Sequence, residues 1–258
     1  MPAVKAMHKW IPAPDGRTAA VVLVASLVVG LAGYWGPWIA HRDVALILIG
    51  QDLGEFVKFL PEVRDGSLPM LRELFYLPPF CGCWALALLA ACRTLRYPPL
   101  SRILFLVALL PVSLALLPPV FSVPVLRSAE FRVQVIGVVI CLALIPGWLL
   151  LRRLPLRVQS GLLTVCGLLG ALPAWWQFRA TLPAIARVYD APLRLGWGIV
   201  ALLAGFLTFA LFSALLTVAG RPSRDGGSSY DAGMRGLCED DAHRDRAVGT
   251  RNFASLPM

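Results

Sequence analysis

The chain has 258 residues, of which 58% are hydrophobic and 15% charged, with a formal net charge of +9. A soluble domain carries about a quarter charged residues, so this composition excludes an ordinary water-soluble fold. The apolar residues gather in blocks of roughly the 20-residue length that crosses a bilayer, and the basic residues cluster beside them, which orients a membrane protein rather than lining a nucleic-acid groove.

Residues 1–17 form a short basic arm carrying Lys5, Lys9 and Arg17, and Pro12 and Pro14 rule out a long helix there. The first span is expected at about 18–40. Its apolar run passes into Tyr34, Trp35 and Trp38, an aromatic interfacial belt, and no small-x-small cleavage site follows, so the segment is read as an uncleaved anchor.

Residues 44–62 come next. Read as a helix, Leu46, Ile49, Leu53, Phe56, Val57 and Leu60 share one face, with Gln51, Glu55, Lys58 and Glu62 on the other. That pattern predicts an amphipathic helix lying on the membrane, too polar to cross it. Its first part, VALILI, is apolar enough to dip in as a re-entrant stub.

Five more spans are expected at about 71–92, 102–121, 131–151, 156–176 and 195–219, with a longer loop over 177–194. Pro78-Pro79, Pro111 and Pro146 fall inside three of them. Proline removes a backbone hydrogen bond and kinks a helix, which a membrane bundle tolerates where neighbours satisfy the freed carbonyls. From Arg221 the chain is rich in Gly, Ser, Asp and Arg with no aliphatic run; residues 221–258 are expected to be a disordered tail.

The fold class is therefore an all-α polytopic transmembrane bundle of about six spans, organised as an arm (1–17), a membrane domain (18–220) and a tail (221–258), with one interfacial amphipathic helix. The loop after the first span is the acidic one (Asp43, Asp52, Glu55, Glu62, Asp65). Arg93, Arg96 and Arg102, then Arg152, Arg153 and Arg157, then Arg221 and Arg224 all fall on the opposite side. This places both termini in the cytoplasm of a cell (inner) membrane and the amphipathic helix outside. The strong preference for Arg over Lys fits a bacterial, GC-rich origin.

Candidate sites are few. His41, Asp43, Asp52, Glu55 and Lys58 make the best polar cluster, read either as an outer recognition surface or as the solvated face of the interfacial helix, with Glu55 and Lys58 paired at i, i+3. The spans lack Asp, Glu, Lys and His well inside, which argues against a proton- or sodium-coupled pump and against a membrane metalloprotease. Cys81 and Cys83 sit two apart, and in a helix such residues point roughly 200° apart, so no metal site is expected there. No cofactor is expected either.

Small residues recur at Gly161, Gly167, Gly170 and Ala171, and at Gly196, Gly198, Ala201, Ala204 and Gly205. They permit close helix approach, inside the chain or to a partner. The chain carries no Walker A, Gly-x-Ser-x-Gly or CAAX-protease signature. The expectation is a non-catalytic, permease-like or accessory subunit whose partners are the lipid bilayer and another membrane protein or an ATPase subunit, with no nucleic acid. The alternative is a lipid-acting enzyme at the outer interface, drawing on His41, Asp43, Asp52 and Glu55.

Overall fold

The computed structural model describes residues 16–41, 46–95, 97–117, 124, 128–189 and 193–219. These residues are mostly helical. Helices α1 (Gly16–Trp35), α4 (Leu77–Ala91), α5 (Pro99–Leu114), α6 (Arg132–Leu151), α7 (Leu156–Tyr189) and α8 (Trp197–Ala219) form the bundle. Strands β1 (Pro37–His41) and β2 (Leu46–Ile49), the short helices α2 (Gly50–Phe56) and α3 (Pro61–Arg64), and 3-10 turns at Val57–Phe59 and Arg72–Tyr76 make a head at one end. The arm before residue 16 and the tail over 221–258 lie outside the described residues.

Five segments are long and apolar enough to cross a membrane: Gly16–Trp35, Arg72–Ala91, Ala129–Leu151, Leu156–Tyr189 and Trp197–Val218. The chain thus has the build of a multi-pass membrane protein. Its exposed surface agrees: Val21, Val28, Ile103, Val107, Ile136, Val139, Val165 and Leu211 all face outward, and an apolar surface that broad is foreign to soluble monomers. Pro99–Leu114 is apolar but shorter. At about 1.5 Å per residue it spans about 24 Å against a hydrocarbon core of about 30 Å. The rest of the expected third span, from residue 118, lies outside the described residues.

Four expectations change. The first span ends at Trp35 rather than at 40, because Gly36-Pro37 follows, and a residue before proline is driven out of the helical region. Pro37–His41 then pairs antiparallel with Leu46–Ile49. The residues read as the start of an amphipathic helix are thus a strand: Leu48 is 7% exposed and Ile47 is 64% exposed, a period of two rather than 3.6. The outer edge of β1 is closed by the chain before α8, with Gly196 donating its N–H to Trp38 O at 2.8 Å and Ala40 to Arg194 O at 3.4 Å.

The remainder of the amphipathic segment is α2, a 3-10 turn and α3, and its apolar side is not turned to lipid. Leu53, Val57 and Leu60 are buried in the protein core. Pro78-Pro79 does not kink its span but lies in the first turn of α4, where a missing N–H costs nothing. Finally, the predicted loop after residue 176 is helical as far as Tyr189. Gln177, Phe178, Thr181, Ala184 and Ile185 are buried, a stripe at helical spacing that packs on the head. Pro111 and Pro146 do sit inside helices.

The tightest packing is between α1 and α8. A Cβ added at Gly33 would strike the backbone of Leu202, one at Gly198 the backbone of Gly36, and one at Gly205 the backbone of Gly30. Gly167 and Gly170 of α7 likewise face Ala210 and Phe206 of α8. Within the chain, then, these small residues serve close backbone approach, where dispersion rather than water exclusion holds helices together.

Candidate functional site

The head is organised around Trp38. Its ring is fully buried, against Tyr34 (6.4 Å between centroids), Phe75 (6.1 Å) and Phe178 (5.5 Å), and its indole Nε1–H donates to Gly33 O at 3.1 Å. One side chain therefore ties the end of α1, the turn before α4 and the extension of α7 to the hairpin. Gly50 opens α2 directly against the Trp38 and Tyr34 rings, where a Cβ would not fit.

Outside this core runs a chain of charges. Lys58 Nζ lies 2.8 Å from Glu55 Oε2 and 3.0 Å from Glu130 Oε1. Arg72 Nη1 lies 2.8 Å from the same Glu130 oxygen, and Arg72 also donates to the Glu130 backbone carbonyl. Tyr76 donates its hydroxyl proton to Glu55 Oε1 at 2.8 Å. The Phe131 ring sits under both cations, 5.8 Å from Lys58 and 5.3 Å from Arg72, a cation–π arrangement that shields the pairs from water on one side. On the opposite flank Arg187 of α7 meets Glu62 of the head at 2.9 Å, and Phe56 stacks on Tyr189 at 6.3 Å. Gln51 donates to Leu117 O at 3.0 Å.

Each link joins the head to a different helix end: α5 through Gln51, α6 through Glu130, α7 through Arg187. Individually such exposed pairs contribute about 0–1 kcal/mol. Together they fix position more than they add stability. The hydrogen bond to Glu55 holds the Lys58 ammonium above its usual pKa, against the opposing effect of burial.

Of the residues singled out in the sequence, Glu55 and Lys58 are joined as an i, i+3 pair, and both are committed to this network. Asp52 is apart from it, half-buried on α2. Burial pushes its carboxyl up from the ordinary range, and the Ile49 backbone N–H opposes the shift. His41 ends β1, its backbone opposite Leu46, and Asp43 lies outside the described residues. The network members that sequence reasoning missed are Arg72, Tyr76, Glu130 and Arg187. Glu130 is 72 residues from Lys58, so no local spacing announces it.

A raised folded-state pKa means that the folded protein holds the Asp52 proton more tightly than the unfolded chain does. Ionised Asp52 therefore costs stability above its folded pKa, and that cost vanishes as the pH falls below the ordinary carboxylate value. Asp52→Asn should raise the melting temperature at pH 7. The difference from wild type should close by about pH 3, and a melting series across pH checks it.

Among the described residues no group of three or more His, Cys, Asp or Glu converges on a point that would hold a metal ion. Cys81, Cys83, Cys92, Cys141 and Cys166 are free thiols. No family model, no curated protein and no solved structure matches the chain.

Proposed function

We propose that this chain is a non-catalytic subunit of a membrane complex, permease-like or accessory, with both termini in the cytoplasm and its head on the outer face. The observation that carries the reading is the state of four glutamates around the head, a network from which Asp52 stands apart. Glu55, Glu62, Glu73 and Glu130 each lie within ion-pair distance of a cation, and those cations reach across to other elements. A general acid or base works from a group free to exchange its proton with substrate; these groups brace a cap instead.

The orientation is supported by charge. Arg17, Arg93, Arg102, Arg152, Arg153 and Arg157 all lie at the end of the bundle away from the head, as the positive-inside rule requires of a cytoplasmic face. Exposed Trp35, Trp176 and Trp197 lie where α1, α7 and α8 reach the head, fitting an aromatic belt at the outer interface. Leu156–Trp176 alone then crosses about 30 Å, and the rest of α7 stands above the bilayer as part of the head.

Purification of the full chain from its own membrane in mild detergent, with quantitative mass spectrometry, tests the subunit reading. A second membrane protein or an ATPase should accompany it at a fixed ratio, unchanged by Asp52→Asn with Glu55→Gln. A single species free of any stoichiometric protein would overturn it.

A further inference from the structure

At the end of the bundle away from the head, α1 and α5 leave a cavity of about 510 Å³ between them. On α1 it is lined by Arg17, Val21 and Ala25, which share one stripe of the helix at i, i+4 and i+8. On α5 it is lined by Ser101, Leu104 and Phe105. Of these six, Arg17 and Ser101 are polar, and both sit in the first turn of their helix. Val21 lies about 6 Å and Ala25 about 12 Å deeper along α1, and Leu104 and Phe105 lie about 4–6 Å below Ser101. A polar mouth thus stands over an apolar wall. Val21, Ala25 and Leu104 are exposed, so the wall opens sideways onto the surface that faces lipid in a membrane.

The charge at the mouth selects the occupant. Every Asp and Glu among the described residues lies at the head end, and none of them reaches Arg17, which is exposed. Arg102 follows Ser101. Arg93 precedes Thr94, whose carbonyl meets the start of α1, 3.7 Å from where a Cβ on Gly16 would lie. Both helices also turn their N-terminal, positive ends to this mouth. An anion is favoured there, and a headgroup that brings its own ammonium is not. A free phosphate would meet the mouth but leave the wall uncovered; a phosphate carrying acyl chains fills both. Basic sites between helices at a membrane face are suited to such lipids.

We propose that this cavity binds an anionic phospholipid, its phosphate accepting hydrogen bonds from the Arg17 guanidinium and the Ser101 hydroxyl. One acyl chain runs down the wall past Val21, Leu104 and Phe105.

Three variants separate this from general attraction of lipid to a basic protein. Arg17→Gln removes the charge at the mouth. Arg153→Gln removes one from the same end of the bundle, at an exposed turn that does not line the cavity. Ala25→Trp fills the wall from an exposed position. The detergent-solubilised full chain is titrated with dilauroyl phosphatidylglycerol, dilauroyl phosphatidylcholine and inorganic phosphate, following the melting temperature.

In wild type phosphatidylglycerol should stabilise saturably, and phosphatidylcholine and inorganic phosphate much less. Arg17→Gln should need about tenfold more phosphatidylglycerol, the loss expected for a charged hydrogen bond, while Arg153→Gln should match wild type. Ala25→Trp should not respond. Equal losses in Arg17→Gln and Arg153→Gln would mean diffuse charge attraction rather than a site. An equal response to the two lipids, or of Ala25→Trp and wild type, would mean lipid coating only. Inorganic phosphate acting as strongly as phosphatidylglycerol would mean that no chain is bound. No response in wild type would also overturn the proposal. Arg17 and Arg153 are both exposed, so their contrast stands even if Ala25→Trp does not fold.

Discussion

Gly205→Leu leaves no folded protein, and Gly205→Ala lowers stability by about 2–3 kcal/mol, at the upper end for overpacking. The reason is that the obstacle is backbone. A Cβ at Gly205 would fall 2.5 Å from Gly30 Cα and 2.6 Å from Ser26 O, and main chain, unlike the tip of a side chain, cannot swing aside. The only relief is to part α1 from α8, and that undoes the adjacent contact of Gly33 with Leu202 and of Gly198 with Gly36. Gly147→Ala and Gly161→Ala supply the control. Both glycines lie inside helices with open space where a Cβ would go, and removing a helical glycine should add about 0.5–1 kcal/mol. Thermal melts of the four variants in one detergent check the contrast. Equal losses for Ala at all three positions would mean that helix propensity, not approach of α1 to α8, sets the response.

Trp38→Ala frees the head from the bundle. The side chain is fully buried, and large aromatic truncations in cores cost about 3–5 kcal/mol; here an indole hydrogen bond to Gly33 O is lost as well. The three rings that Trp38 touches belong to different elements, Tyr34 on α1, Phe75 before α4 and Phe178 on α7, so the cavity has no single neighbour able to collapse into it. Limited proteolysis should then cut between Gly50 and Leu71 while the apolar helices stay intact, and Trp38→Phe should be intermediate. The exposed ion pairs around Glu130 contribute too little to hold the head without that core.

Much of this arrangement was legible in the residues because it rests on local rules. Apolar length announced the helices, proline placed the stop before α5, and i, i+3 spacing announced the Glu55–Lys58 pair. The misreadings come from long-range contacts. Leu46 to Ile49 is an aliphatic run short enough for either a helix or a strand; pairing with Pro37–His41 decides it. Gln177 to Tyr189 reads as a loop because Arg179, Pro183 and Arg187 interrupt it, yet one face is covered by the head and that burial sustains the helix. The glycine rows were visible, but their partners were not: Gly30 and Gly205 are far apart in sequence. Glu130 carried no local signal, since what distinguishes it is the pair of cations beside it, Lys58 and Arg72.

The claim that most depends on the whole arrangement is that the head stands outside and the arginine-rich ends stand inside. Asp65 is exposed in the tight turn that Gly66 makes at φ 77°, and Arg153 is exposed in the turn after α6. Asp65→Cys and Arg153→Cys, each expressed in intact cells beside the wild-type chain as background, are treated with a membrane-impermeant maleimide. Labelling of Asp65→Cys in intact cells, and of Arg153→Cys only after permeabilisation, is the predicted result. The reverse pattern, or labelling of both from outside, would contradict it.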